Sequence, residues 1–193
     1  MKRIVPVTAA LLFIILSYLF FDKRAVLYFH ETKLLRDFFE AVTQLGRAEI
    51  YLIPSFLIYL LYRKKQKIVK KYALLVFWSV AISGIAVNIL KIIFARYRPK
   101  MLFSEGLYGF DWFHLGHSFA SFPSGHSTTA FSAFVAFSFI WPRYRYLFFA
   151  AATLIAVSRV GVTAHYPSDI VAGALLGSVT AIMVHKKLFQ GKR

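Results

Sequence analysis

Cysteine is absent from the 193-residue sequence, which excludes disulfide frameworks, thiolate nucleophiles and cysteine metal ligands. Acidic residues are scarce as well, with eight Asp and Glu against twenty-four Lys and Arg, for a formal charge of +16. No internal repeat, low-complexity segment or linker divides the chain, so residues 1–193 read as one domain. What is abundant is apolar. The sequence is 59% hydrophobic and 18% aromatic, above the apolar share of ordinary soluble domains. Runs of near-spanning length recur along it, and about 18–24 residues suffice to cross a hydrocarbon core. These features predict an all-α, polytopic membrane protein.

Six spans are expected. The run 4–21 follows a basic start like that of a signal peptide, but it is too long for one and lacks a small-residue cleavage site. It reads as a first span. Residues 25–47 differ, with Leu34, Leu35, Phe38, Phe39, Val42 and Leu45 on one helical stripe and Lys33, Arg36, Asp37, Glu40 and Gln44 opposite. That pattern predicts an amphipathic interfacial helix, either packed on the rim of the bundle or guiding substrate. Further spans are expected over 50–62 (extended back to 46), 72–95, 128–141, 146–162 and 167–184, with a loop over 101–122.

With the N-terminus cytoplasmic, fourteen of the twenty-four basic residues fall on the cytoplasmic side. They include Lys2 and Arg3, the 63–71 loop, Arg143, Arg145 and the tail, while all eight acids fall opposite. This is the positive-inside pattern, and it accounts for the charge without nucleic acid.

Pro123-Ser124-Gly125-His126-Ser127 stands just before the fourth apolar run. Ser and Gly there suit an ordinary helix cap, and first-turn amides equally suit an anion. Other residues bear on the choice. Lys91, Arg98, Arg159, His126, His165 and Asp169 come from four spans yet share the outer membrane depth. Singly, each has a plain reading as a snorkelling, capping or interfacial group. Jointly, three cations and two histidines surround one carboxylate, Asp169, and an anion is missing. Guanidinium forks and a lysine suit a phosphate-like dianion. Asp169, four residues after His165, can bond one ring nitrogen and leave the other free to attack. His126 can protonate the departing oxygen. Neither histidine has metal-ligand spacing, and one carboxylate among cations is a poor magnesium cage, so no metal or other cofactor is expected.

Lys91-(six residues)-Arg98-Pro99, Pro123-Ser124-Gly125-His126 and Ser158-Arg159-(five residues)-His165-(three residues)-Asp169 together resemble the three-part signature of the type-2 phosphatidic acid phosphatase superfamily. These are membrane lipid phosphate phosphatases related to vanadium haloperoxidases. The resemblance implies that His165 forms a phosphohistidine with Asp169 in support, and that His126 is the acid for the leaving group. It implies that Lys91, Arg98, Ser124, Gly125 and Arg159 bind the phosphoryl oxygens. It also implies a bacterial inner-membrane enzyme with its site facing the periplasm or exterior and both termini cytoplasmic. A haloperoxidase is disfavoured by hydrophobicity throughout the chain. A silent lipid-binding or transport protein would need no His165–Asp169 pair.

The substrates known for bacterial relatives are phosphatidylglycerol phosphate, undecaprenyl diphosphate, phosphatidic acid and the 1-phosphate of lipid A. Arg96, Lys100, Lys33 and Arg36 are expected to add charge at the mouth, which would favour a large anionic headgroup. His114, His117 and Trp112 are expected either to meet that headgroup or to anchor the 101–122 loop.

Overall fold

Helices account for nearly all of the architecture in the computed structural model, which describes residues 4–33 and 35–190. Lys2, Arg3, Leu34, Lys192 and Arg193 lie outside the described residues. The chain opens with α1 (Ile4–Leu16), which passes through a π-helical turn, Ser17–Phe21, into α2 (Asp22–Thr32). Such turns shift the side chains that follow and are frequent at functional sites. Here the turn aims Asp22 inward, where its Oδ1 accepts from Ser17 Oγ at 2.8 Å.

The amphipathic helix expected over 25–47 is therefore two elements. Its first part continues the N-terminal helix as α2. A turn containing Lys33 and Leu35, both with positive φ, then leads to α3 (Arg36–Gln44). On α3 the i,i+4 pair Phe39 and Thr43 is buried, whereas Leu35, Phe38 and Leu45 of the expected stripe are exposed. Next come α4 (Glu49–Tyr62), with Pro54 inside it, and the long α5 (Lys67–Phe94). The loop expected over 101–122 starts as a helix, α6 (Pro99–Glu105), with Pro99 in its first turn and Gly106 as a left-handed cap.

The last three helices are α7 (Gly125–Ile140), α8 (Arg145–Gly161) and α9 (Pro167–Phe189). α7 lies at the centre, against α5, α8 and α9. Its buried residues are small: Ser127, Thr128, Thr129, Ala130, Ser132, Ala133, Val135 and Ala136. Gly173 and Gly177 of α9 let the two backbones close on each other, as small-xxx-small pairs do between membrane helices. A Cβ on Gly173 would stand 2.5 Å from the Ser124 carbonyl oxygen, and one on Gly177 would overlap that of Thr128. This contact sets the start of α7 beside the start of α9.

Among the described residues, three helical stretches are long and apolar enough to cross a membrane: Arg36–Tyr62, Lys67–Phe94 and Pro167–Phe189.

Candidate active site

At the end of the bundle where α5 stops and α7 and α9 start, the three sequence motifs meet. The last turn of α5 carries Lys91, and a Cβ added to Gly125 at the start of α7 would lie 3.5 Å from its Nζ. Arg98 precedes α6, bonded through its N–H to the Ser118 carbonyl at 2.9 Å and through Nη2 to that of Ala120 at 3.3 Å. Arg159, near the end of α8, donates from Nη1 to Thr43 Oγ1 at 2.6 Å. The buried Nε atoms of Arg98 and Arg159 have no protein partner. Unpaired buried guanidinium donors are costly unless an anion completes them. His126, half-buried, lies in the field of Arg159, Lys91 and Arg98, and its ring rests against Gly46 in the turn between α3 and α4.

His165 sits in the tight turn between α8 and α9, 2% exposed, its backbone N–H bonded to the Arg159 carbonyl at 3.2 Å. Its Nδ1 lies 2.8 Å from the Ser121 carbonyl oxygen and 3.5 Å from Asp169 Oδ2. A carbonyl only accepts, so the proton resides on Nδ1 and the Nε2 lone pair is left free. Burial, with Arg98 and Arg159 nearby, holds this imidazole far below its ordinary value, at about 3, against the opposing pull of Asp169. His117, in the loop before α7, is also held down, chiefly by Arg98 and then by burial, Lys91, Lys100 and Arg159.

Asp169 is fully buried in the first turn of α9. Its Oδ1 takes Arg96 Nη1 at 2.5 Å, and its Oδ2 takes Ser121 Oγ at 2.6 Å and the Tyr166 N–H at 2.9 Å. Its principal partners are thus Arg96, Ser121 and the helix start, with His165 at longer range. Arg96 corrects the expectation of a charge at the mouth: it is fully buried and bonds Asp22 Oδ2 through Nη2 at 2.8 Å. Asp169 is consequently not the sole acid near the cluster, because Asp22, also fully buried, joins it.

Ser124 stands at the N-cap of α7, where its hydroxyl oxygen accepts from the Ser127 N–H at 3.4 Å and keeps its own proton to donate. It is buried, its hydroxyl is engaged by Ser127 Oγ at 2.9 Å, and its N–H bonds the Asp169 carbonyl at 3.0 Å. It caps α7 and ties motif two to motif three. The amides of Gly125 and His126 in that first turn are further donors available to an anion.

The remaining contributors had only weak sequence signals. Thr43 is one polar residue on an amphipathic helix, and Ser121 is one serine before a motif. Asp22 ends an apolar run and reads as a flank. Of the loop residues, His114 pairs with Asp111 at 2.7 Å and stacks on Phe119, and Trp112 is exposed beside Phe94 and Phe110.

Comparison with known proteins bears on this geometry. The family model described as the PAP2 superfamily matches residues 72–193. The chain belongs to this superfamily. A lipid A 1-phosphatase of Rhizobium johnstonii is 47% identical over 103 residues, covering 53% of this chain and 42% of that protein. The chain thus spans less than half the length of that relative. Aquifex aeolicus LpxE is 27% identical, with a TM-score of 0.59 over 79% of this chain and 86% of that one. The first transmembrane PAP2-type phosphatidylglycerolphosphate phosphatase from Bacillus subtilis has a TM-score of 0.69 over 96% and 97%. At 21% identity it speaks for the fold alone.

Proposed function

We propose that this PAP2-superfamily chain is an integral membrane phosphatase that removes a terminal phosphate from a lipid through a phosphohistidine on His165. The carrying observation is the Nδ1 bond of His165 to the Ser121 carbonyl, which leaves Nε2 unprotonated within the field of Arg98 and Arg159.

The phosphoryl oxygens are bound by Lys91, Arg98, Arg159, the Ser124 hydroxyl and the amides of Gly125 and His126. Nε2 attacks phosphorus as the bond to the lipid oxygen breaks, and His126 gives its proton to that oxygen. The dianion's own charge favours protonated His126 before this step. Neutral His126 then takes a proton from water as its oxygen attacks the phosphohistidine, releasing inorganic phosphate and restoring His165. Asp169 supports the imidazole as charge develops on it.

The embedding has six spans. The α1 helix makes the first and α4, α5, α7, α8 and α9 the rest, with α3 at the interface and the N- and C-termini cytoplasmic. Exposed apolar side chains such as Leu12, Leu57, Ile85 and Met183 fit a surface in lipid. The site then opens at the periplasmic or outer face of a bacterial inner membrane, so a headgroup enters while its chains stay in the bilayer.

Lipid A 1-phosphate is the favoured substrate, supported by the match to a protein named lipid A 1-phosphatase. Lys33, Arg36 and Lys100 supply charge for a large headgroup. Phosphate release should be measured on lipid A, undecaprenyl diphosphate, phosphatidylglycerol phosphate and phosphatidic acid. Lipid A is expected to turn over fastest. If it is the poorest of the four, the substrate assignment fails, and if none releases phosphate the class fails with it.

A further inference from the structure

Behind His165, on the side away from the phosphoryl pocket, lies a buried ion triad, Asp22, Arg96 and Asp169, of which the proposed chemical steps use only Asp169. All three side chains are fully inaccessible. The Arg96 fork is held at both ends. Its Nη1 serves Asp169 Oδ1 at 2.5 Å and Ser168 Oγ at 2.7 Å, and its Nη2 serves Asp22 Oδ2 at 2.8 Å and Tyr108 Oη at 3.1 Å. The rings of Tyr18, Tyr108, Phe110 and Tyr166 surround the guanidinium, with centroids 4.4–5.3 Å from its carbon. Asp22 in turn accepts the Ser168 N–H at 2.9 Å and is bonded by the Ser168 hydroxyl. Buried charges are retained when paired and hydrogen-bonded on both sides, and breaking such a pair leaves one of them exposed to the low dielectric.

Arg96 also reaches His165 by two separate routes. Through its side chain it holds the carboxylate that stands 3.5 Å from Nδ1. Through its backbone carbonyl it accepts the Ser121 N–H at 3.1 Å, and Ser121 offers the carbonyl to which Nδ1 donates. Both acceptors facing the protonated nitrogen therefore depend on one residue.

We infer that Arg96, anchored by Asp22, is a positioning residue that sets the tautomer and aim of His165. The role rests on the phosphohistidine reading above. It makes the N-terminal helix part of the reacting site, although Asp22 lies outside the residues 72–193 matched by the family model. Enclosed by rings, Arg96 has no path to the phosphate, so its loss acts on the chemical step and leaves substrate binding alone.

The test uses the full chain in detergent, with Arg96→Lys and Asp22→Asn. A lysine keeps the charge but cannot bridge both carboxylates with one ammonium. Arg96→Lys is expected to lower kcat per folded molecule on the order of 10²-fold at unchanged KM, the scale of a small misplacement at the reacting atoms. Asp22→Asn keeps the shape of the side chain and is expected to lower kcat less, again at unchanged KM. In ¹⁵N-histidine NMR the wild-type His165 should be the Nδ1–H tautomer, and both variants should show Nε2–H as well. Unchanged kcat and tautomer alongside a lowered melting temperature would make the triad merely structural and overturn the inference. So would a rise in KM at constant kcat. If Arg96→Lys does not fold, Asp22→Asn decides. If the wild type releases phosphate from no lipid, the proposed function falls, while the tautomer measurement still decides this role.

Discussion

His165 donates from Nδ1 to the carbonyl oxygen of Ser121 at 2.8 Å, a shorter contact than the 3.5 Å to Asp169. The orientation of the His165 ring therefore depends on the backbone just before motif two. Ser121 holds that backbone through its hydroxyl bond to Asp169 at 2.6 Å. Ser121→Ala keeps the carbonyl and deletes the tether. We expect kcat to fall roughly tenfold at unchanged KM, as for a displacement well under 1 Å. Stability should drop by about 1–2 kcal/mol, the scale of a lost buried hydrogen bond to a charged group. Steady-state kinetics and a melting curve check both, and an unchanged kcat would remove the Ser121 hydroxyl from the account.

Thr43 and Arg159 are 116 residues apart in sequence yet joined by a 2.6 Å hydrogen bond, so α3 helps aim the guanidinium proposed to bind phosphate. Thr43→Val preserves shape and removes the acceptor. The expected result is a rise in KM of about three- to tenfold with kcat little changed, the signature of lost uniform binding. A fall in kcat at constant KM would instead assign Arg159 to the transition state alone.

Gly46 is the floor under His126. A Cβ there would lie 2.7 Å from the imidazole Cδ2, so Gly46→Ala must push the ring aside. Turnover of a lipid phosphate, whose alkoxide leaving group needs a proton, should fall on the order of 10²-fold, the lower range of general-acid contributions. An aryl phosphate with a good leaving group should lose far less. Equal losses on both substrates would separate His126 from the acid role.

The signature residues were readable in the sequence because each carries an expensive group at an unusual place. Lys91, Arg98, Arg159, His126, His165 and Asp169 are ionisable groups at the ends of apolar runs, and the structure brings their backbones to one end of the bundle. Arg96 reads as a charge at the mouth because exposure cannot be inferred for a charge near other charges. Arg96 stands between Lys91 and Arg98, and only the tertiary approach of α2 shows that it is paired. The break between α2 and α3 was hidden for a different reason. Helical periodicity persists across it, while the backbone turns at Lys33 and Leu35, neither of which is a glycine or proline. Ser124 reads from its motif as a phosphate ligand, and only the fold shows that its oxygen also accepts from Ser127 as a helix cap.

The depressed pKa of His165 makes a direct statement about pH. With the folded value near 3 and the ordinary value at 6.5, the imidazole stays neutral well into acid. Unfolded chains bind this proton at higher pH, so the stability it contributes is present above about 6.5 and declines as pH falls from there toward about 3. In a ¹⁵N-histidine titration, His165 should show no protonation between pH 8 and about 5. A midpoint near its ordinary value would contradict the neutral, buried nucleophile.

The central claim is a covalent phosphoryl group on His165, and trapping it is the most direct measurement. Protein mixed with a radiolabelled phosphate lipid should be quenched in alkali during turnover and mapped by peptide mass spectrometry. The account predicts protein-bound label that is stable to alkali and lost in acid, carried on the peptide containing His165. It also predicts no label in His165→Gln, which should fold but release no phosphate. Label retained in His165→Gln, or turnover by that variant at the wild-type rate, would contradict the account.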